Sequence, residues 1–277
     1  MASDLTGGDT APASEAAPEP AHPAATTAAS AAPRPHMFRF GLIYGGLGLV
    51  LALAIVGVAI FGSRSINPDP KWSVWKPKGG GQGAAMEIAH HVAGAYRLPN
   101  GEQLVDVLSK APSVSAPKPV PISYVAVKGA KGSYGLVQPV TPMNSVMYSL
   151  CGLGVACSIP TGTPSAERGR LVRREILELA LYTFKYVHGM DNVIAFMPPT
   201  AGKPKLVVYL RHDDLAPQLK RPLLTTLRAH VPLAATIPAD ETRVIEATTR
   251  LHVYRFGGLA QAPQGDLVFV LAPLPKS

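Results

Sequence analysis

The chain has 277 residues, is 47% hydrophobic and carries a formal charge of +8, with only two cysteines. Two cysteines, with no His or Cys pair at zinc spacing to join them, exclude a four-ligand zinc set. Neither a Gly-x-x-x-x-Gly-Lys phosphate loop nor a His-Glu-x-x-His metalloprotease pair is present.

Residues 1–39 are rich in Ala, Pro, Ser and Thr. Such a composition buries too little apolar surface to offset chain entropy, so a disordered tail is predicted. The tail holds Asp4, Asp9, Glu15 and Glu19 against Arg34 and Arg39. That leaves 24 of the 26 basic and 14 of the 18 acidic residues, a net of +10, from residue 64 onward. A domain so charged is drawn to anionic headgroups, acidic envelope polymers or an acidic partner protein. Aromatic and basic residues are not interleaved as nucleic-acid binding uses them, so nucleic acid is not an expected partner.

Phe40 to Gly62 is 23 residues without a charge or a proline, bracketed by Arg39 and Arg64. At ~1.5 Å per residue it reaches across ~30 Å of hydrocarbon, and it exceeds the ~7–15 apolar residues of a signal peptide. A single transmembrane helix over 40–62 is expected. Gly41 and Gly45 form a Gly-x-x-x-Gly face that suits a homodimer within the bilayer. The flanking charges, Arg34 and Arg39 before and Arg64, Lys71, Lys76 and Lys78 after, favour a cytosolic domain by count. Long domains translocate largely regardless of that count, and a close cysteine pair suits an oxidising compartment. The expectation is therefore a cytoplasmic N-terminus and an extracytoplasmic domain in a bacterial-type cell envelope.

Residues 63–83 are expected to form a flexible linker ending in Gly79-Gly80-Gly81. Trp72 and Trp75, the only tryptophans, flank lysines and are candidates for the membrane interface; packing on the domain is the competing reading. Residues 84–277 read as an α+β domain, its mixed or largely antiparallel sheet packed by a long amphipathic helix. Ala85, Ile88, Val92 and Tyr96 predict a helix over 84–96, and Gln103–Leu108 alternates as a strand. Val120–Val127 and Gly135–Val140 are predicted strands about a glycine-rich loop. The long helix is predicted at about 164–187, with Thr163 as N-cap, Pro164 in the first turn and Gly189 as the stop. Val172, Ile176, Leu179, Ala180, Phe184 and Val187 share its apolar face, while Arg174, Glu175, Glu178 and Lys185 are assigned to the outer side. Asn192–Met197 and Lys205–Arg211 predict a hairpin of buried strands. Residues 213–231 predict helix broken at Pro217 and Pro222, and Thr248–Phe256 and Asp266–Leu271 predict the last strands.

Chemistry is sparse. Cys151 and Cys157, six apart around Gly152 and Gly154, are disulfide candidates, worth ~2–3 kcal/mol of loop closure. Arg168, Arg170, Arg173 and Arg174 crowd a helix N-terminus, where cations oppose the dipole, and so are candidates for holding an anionic partner. Glu87-x-x-His90 is half of a carboxylate metal motif without its second copy. Lys131-Gly-Ser133-Tyr-Gly135 is a near miss for a nucleophile elbow. Ser133, His212 and Asp213 are thus the residues a membrane-tethered hydrolase would use. No catalytic set, metal or cofactor is assigned. The expected role is a non-enzymatic envelope protein whose domain binds an anionic polymer or a partner protein.

Overall fold

The computed structural model describes residues 48–54, 71–114, 118–129 and 133–275. The chain divides into two units, 1–66 and 67–277. In the first, residues 48–54 are helical. Among the described residues no helix is long and apolar enough to cross a membrane. The rest of the expected 40–62 span, the 1–39 tail and the Gly41/Gly45 face lie outside the described residues.

The second unit is an α+β domain on a mixed sheet. Its middle strands are β6 (Ser145–Cys151), β7 (Asn192–Phe196) and β8 (Leu206–Arg211). Each is apolar on both faces. Val146, Tyr148, Leu150, Val193, Ala195, Val208 and Leu210 enter one core, and Met147, Ile194, Val207 and Tyr209 a second. Period-two alternation with both faces covered makes such strands read as unbroken apolar runs.

Outside them lie β1 (Asp106–Lys110) on one edge, and β9 (Val253–Gln261), β10 (Leu267–Pro273), β4 (Tyr124–Lys128) and β5 (Tyr134–Pro139) towards the other. The order is β1-β6-β7-β8-β9-β10-β4-β5, and β2 (Ser113–Val114) with β3 (Val120–Pro121) forms a separate ribbon. Five of the seven pairings in the large sheet are antiparallel, while β6–β7 and β10–β4 are parallel. The predicted β7–β8 and β4–β5 hairpins form as expected. The second core joins Val125, Phe269 and Leu271 to the middle strands, with Phe196, Phe256 and Phe269 in mutual ring contact at 4.9–5.8 Å. The sheet coils, so β5 at the far edge returns to line a crevice with the ends of β7 and β8.

Helices cover the other face. α1 (Gly81–Ala93) buries Ala84, Ala85, Ile88, Ala89, Val92 and Ala93, four of them alanines that let it lie close to its neighbours. α2 (Ala166–Tyr186) joins β6 to β7 and buries twelve residues. Each large apolar side chain among them contributes about 1.5–3 kcal/mol. α2 begins two residues later than predicted, because the Ser165 hydroxyl, not Thr163, accepts from the Arg168 N–H at 3.1 Å. It ends at Tyr186, before Gly189 at φ 77°. Thr183 holds it to the sheet, its hydroxyl paired with the Tyr148 hydroxyl at 2.7 Å.

Other expectations are corrected. Residues 71–80 are not a loose linker: the Glu87 carboxylate accepts the N–H groups of Lys78 (2.7 Å) and Gly79 (2.9 Å), and Gly81 opens α1. The 213–231 helix shrinks to α3 (Ala216–Leu219) between 3-10 turns: Pro217 stands in its first turn, so a longer helix does not run through it from before, and Pro222 lies beyond its end. Thr248 and Thr249 end a helix, α4 (Ala239–Thr249), and do not start a strand. Their hydroxyls bond back to the carbonyls of Val244 (2.6 Å) and Ile245 (2.7 Å), which accommodates β-branched residues in a helix.

Candidate functional site

A polar crevice of about 250 Å³ opens where β5, β7 and β8 end, lined by Asn144, Asp191, Asn192, Arg211, His212 and Asp213 among others. Below it, the Tyr209 hydroxyl donates to Asn192 (2.7 Å), Asn192 to Ser145 (3.2 Å), and Ser145 to Asn144 (2.6 Å). This relay spends each group's bonding capacity on tying β6, β7 and β8 together. His212 Nδ1 stands 3.7 Å from Asp213, too far for a hydrogen bond, and the Asp213 side chain is 90% exposed. Asp214 accepts the Arg211 N–H at 2.9 Å and its guanidinium at 2.8 Å, which makes it the cap of the following turn. Ser133 precedes β5 at the end opposite the crevice, so a strand of six residues, about 20 Å at ~3.3 Å per residue, separates it from His212 and Asp213. The three hydrolase candidates are not brought together. Among the described residues no cluster of three or more His, Cys, Asp or Glu is placed to hold a metal ion. His90 is exposed beside Glu87, which serves the chain before α1. Lys131 lies outside the described residues.

The four arginines part company. Arg174 is fully buried. Its guanidinium donates to Glu241 (2.8 Å), the Tyr96 hydroxyl (2.5 Å), Glu178 (3.1 Å) and the Arg228 carbonyl (2.9 Å). Arg170 and Arg173 both clamp Glu246 of α4, at 3.2 and 2.5 Å. Arg168 lies over Gly162 and lines an apolar groove with Arg97 and Leu171. Of the four, only Arg168 forms no ion pair among the described residues, and it lies near the surface. The outer side assigned to α2 is therefore a junction with α1 and α4, and Glu175 is buried there too. Neither Glu175 oxygen has a hydrogen-bond partner among the described residues. Burial first, then the neighbouring Glu178, pushes its carboxyl well above the usual range, against the opposing pull of Arg174.

Cys151 and Cys157 are joined in a disulfide. It closes the loop leading from β6 towards α2, and the loop holds two consecutive non-glycine residues in the left-handed region, Ala156 (φ 54°) and Cys157 (φ 65°). Each costs of order 1–2 kcal/mol, so the loop must be held from both sides. Gly152 donates to the Cys157 carbonyl and Gly154 to the Ser158 carbonyl, both at 2.8 Å. A Cβ at Gly152 would stand 2.2 Å from the Ser158 carbonyl oxygen, which only glycine avoids.

Trp72 and Trp75 pack on the domain. Trp72 meets Tyr182 and Tyr186 edge-on at 5.7 and 5.6 Å, with Lys185 over its ring at 5.7 Å. Trp75 stacks on His91 at 3.8 Å. Burial, aided by the adjacent His90, lowers the His91 pKa, so the stacked imidazole favours its neutral form. No protein-family model, curated protein or solved structure matches the chain.

Sequence reasoning missed the buried Arg174, Glu175, Glu178, Glu241 and Tyr96 cluster. Its signal was three charged residues in succession, Arg173 to Glu175, followed by Glu178 three positions on, on a helix already crowded with leucine. Only recognition of α4 would have shown them to be covered.

Proposed function

We propose that the chain is a membrane-anchored protein of a bacterial-type cell envelope, with its basic α+β domain outside the membrane as a non-catalytic module. The module holds an anionic envelope polymer or a partner protein. The observation that carries this reading is the Cys151–Cys157 disulfide, made from the only two cysteines of the chain. Such bonds persist in oxidising compartments. The 40–62 stretch, long enough to span a bilayer, supplies the anchor. The distance between Ser133 and the His212 crevice speaks against the hydrolase alternative.

In cells making the full chain, alkaline carbonate extraction is expected to leave it in the membrane pellet. Protease added to intact spheroplasts is expected to remove the domain and spare a short N-terminal fragment. Recovery in the soluble fraction, or a domain resistant until lysis, would overturn the proposal.

A further inference from the structure

The segment Lys71–Lys78 reads Lys-Trp-Ser-Val-Trp-Lys-Pro-Lys, and the fold turns it inside out relative to its hydropathy. Both indoles face the domain, stacked on His91 and set against Tyr182 and Tyr186. Val74, between them, is left 94% exposed. Lys71, Lys76 and Lys78 are exposed as well, and none forms an ion pair among the described residues. An exposed valine with three unpaired, exposed lysines within four residues of it in sequence presents an apolar and cationic face to whatever lies outside the domain.

The strap that presents them is rigid. The Leu223 N–H donates to the Trp72 carbonyl at 2.7 Å. The Ser73 hydroxyl donates to the Trp75 carbonyl at 2.5 Å, so the Tyr186 hydroxyl, also at 2.5 Å, donates to Ser73. Glu87 fixes the far end through the N–H groups of Lys78 and Gly79. Counting Glu87 against the three lysines leaves the strap at +2. Met86, also exposed, lines an open hollow with the Trp75 ring and extends the apolar part.

We infer that this strap is the face of the domain that lies on an anionic lipid surface, with Val74 dipping among the headgroups and Lys71, Lys76 and Lys78 pairing with lipid phosphates. The inference rests on the anchored reading. Gly62 and Lys71 are nine residues apart, and a chain of that length spans at most about 30 Å. A spanning 40–62 segment therefore keeps the strap within reach, at most about 30 Å of chain from the bilayer. The occupant follows from charge: lysines close to a negative leaflet are attracted within a Debye length, and a small apolar side chain between them enters the interface. The tryptophans, which hydropathy alone would send into lipid, instead lock the strap onto the domain.

The test places the full chain in nanodiscs of phosphatidylcholine, with and without phosphatidylglycerol. Val74→Cys carries an environment-sensitive fluorophore, while the native cysteines stay closed in their disulfide. Quenching by a headgroup-region spin-labelled lipid is expected to be at least about twofold stronger with phosphatidylglycerol, each Lys near an anionic surface adding to the attraction. The difference should vanish in high salt and in the Lys71→Glu, Lys76→Glu, Lys78→Glu triple variant, whose disulfide and melting behaviour serve as the folding control. If the chain elutes with the discs but the fluorophore is unquenched in both lipids, the inference falls and the anchored reading stands. If the chain does not elute with the discs at all, the anchored reading falls first.

Discussion

Replacing Arg174 with methionine is expected to destabilise the domain by about 3–5 kcal/mol, which lowers the melting midpoint by roughly 10 °C for a domain of this size. The guanidinium sits at 0% exposure and serves four acceptors. Without it, the Glu241 and Glu178 carboxylates lose their counterion and the Arg228 carbonyl loses a donor, all at the junction of α1, α2 and α4. Methionine fills a similar volume, so the loss reports the uncompensated charge and not a void. Arg174→Lys keeps the charge but offers a point donor where a planar fork served several partners, and should fall between. Adding Glu178→Leu and Glu241→Leu to Arg174→Met should recover much of the loss, because a whole buried ionic set can be exchanged for apolar residues where half of one cannot. Thermal denaturation of the variants decides it. A single variant melting within about 2 °C of the parent would mean that the network contributes little.

Glu175→Leu has the opposite sign. It should stabilise the domain by about 1–3 kcal/mol at pH 7, raising the midpoint by roughly 3–8 °C, since it removes a buried carboxyl with no hydrogen-bond partner. The pH dependence identifies the cause. The unfolded chain ionises near the ordinary glutamate value of about 4.5, while burial and Glu178 hold the native carboxyl well above it. Between the two values the native state binds the extra proton. The stability present below about pH 4.5 is thus lost as the pH rises towards the native value. The groups that set this balance are Glu178 and Arg174 on the same helix, with Glu241 of α4 bonded to Arg174. The gain from Glu175→Leu should accordingly be smaller at pH 4 than at pH 7. An equal gain at both would show that lost volume or packing, not ionisation, explains the effect.

Much of the scaffold was legible where the signal is local. The 3.6-residue period located α2 to within two residues at its start, and unbroken apolar runs located β7 and β8 with their hairpin. What failed was coverage. Ser145–Cys151, the strand beside β7 in the sheet, mixes serine with apolar residues and gave no period strong enough to predict. Ala239–Thr249 ends in two threonines that resemble the start of a strand until their hydroxyls are seen to bond back along the helix. Without α4 in view the second side of α2 reads as solvated, which puts Arg174 and Glu175 on a surface that does not exist. The tryptophans were misleading for a related reason. Their aromatic partners Tyr182 and Tyr186 lie over a hundred residues further on, so no local pattern could show that the indoles turn inward. The cysteine pair, by contrast, needed only its own spacing and two glycines.

Whether a disulfide-closed domain faces the outside of a membrane is decided by labelling intact cells with a membrane-impermeant maleimide, with and without prior reduction. Cys151 and Cys157 are expected to react only after reduction and without lysis. Labelling that requires lysis and no reductant would contradict it, placing the domain in the cytosol with free thiols.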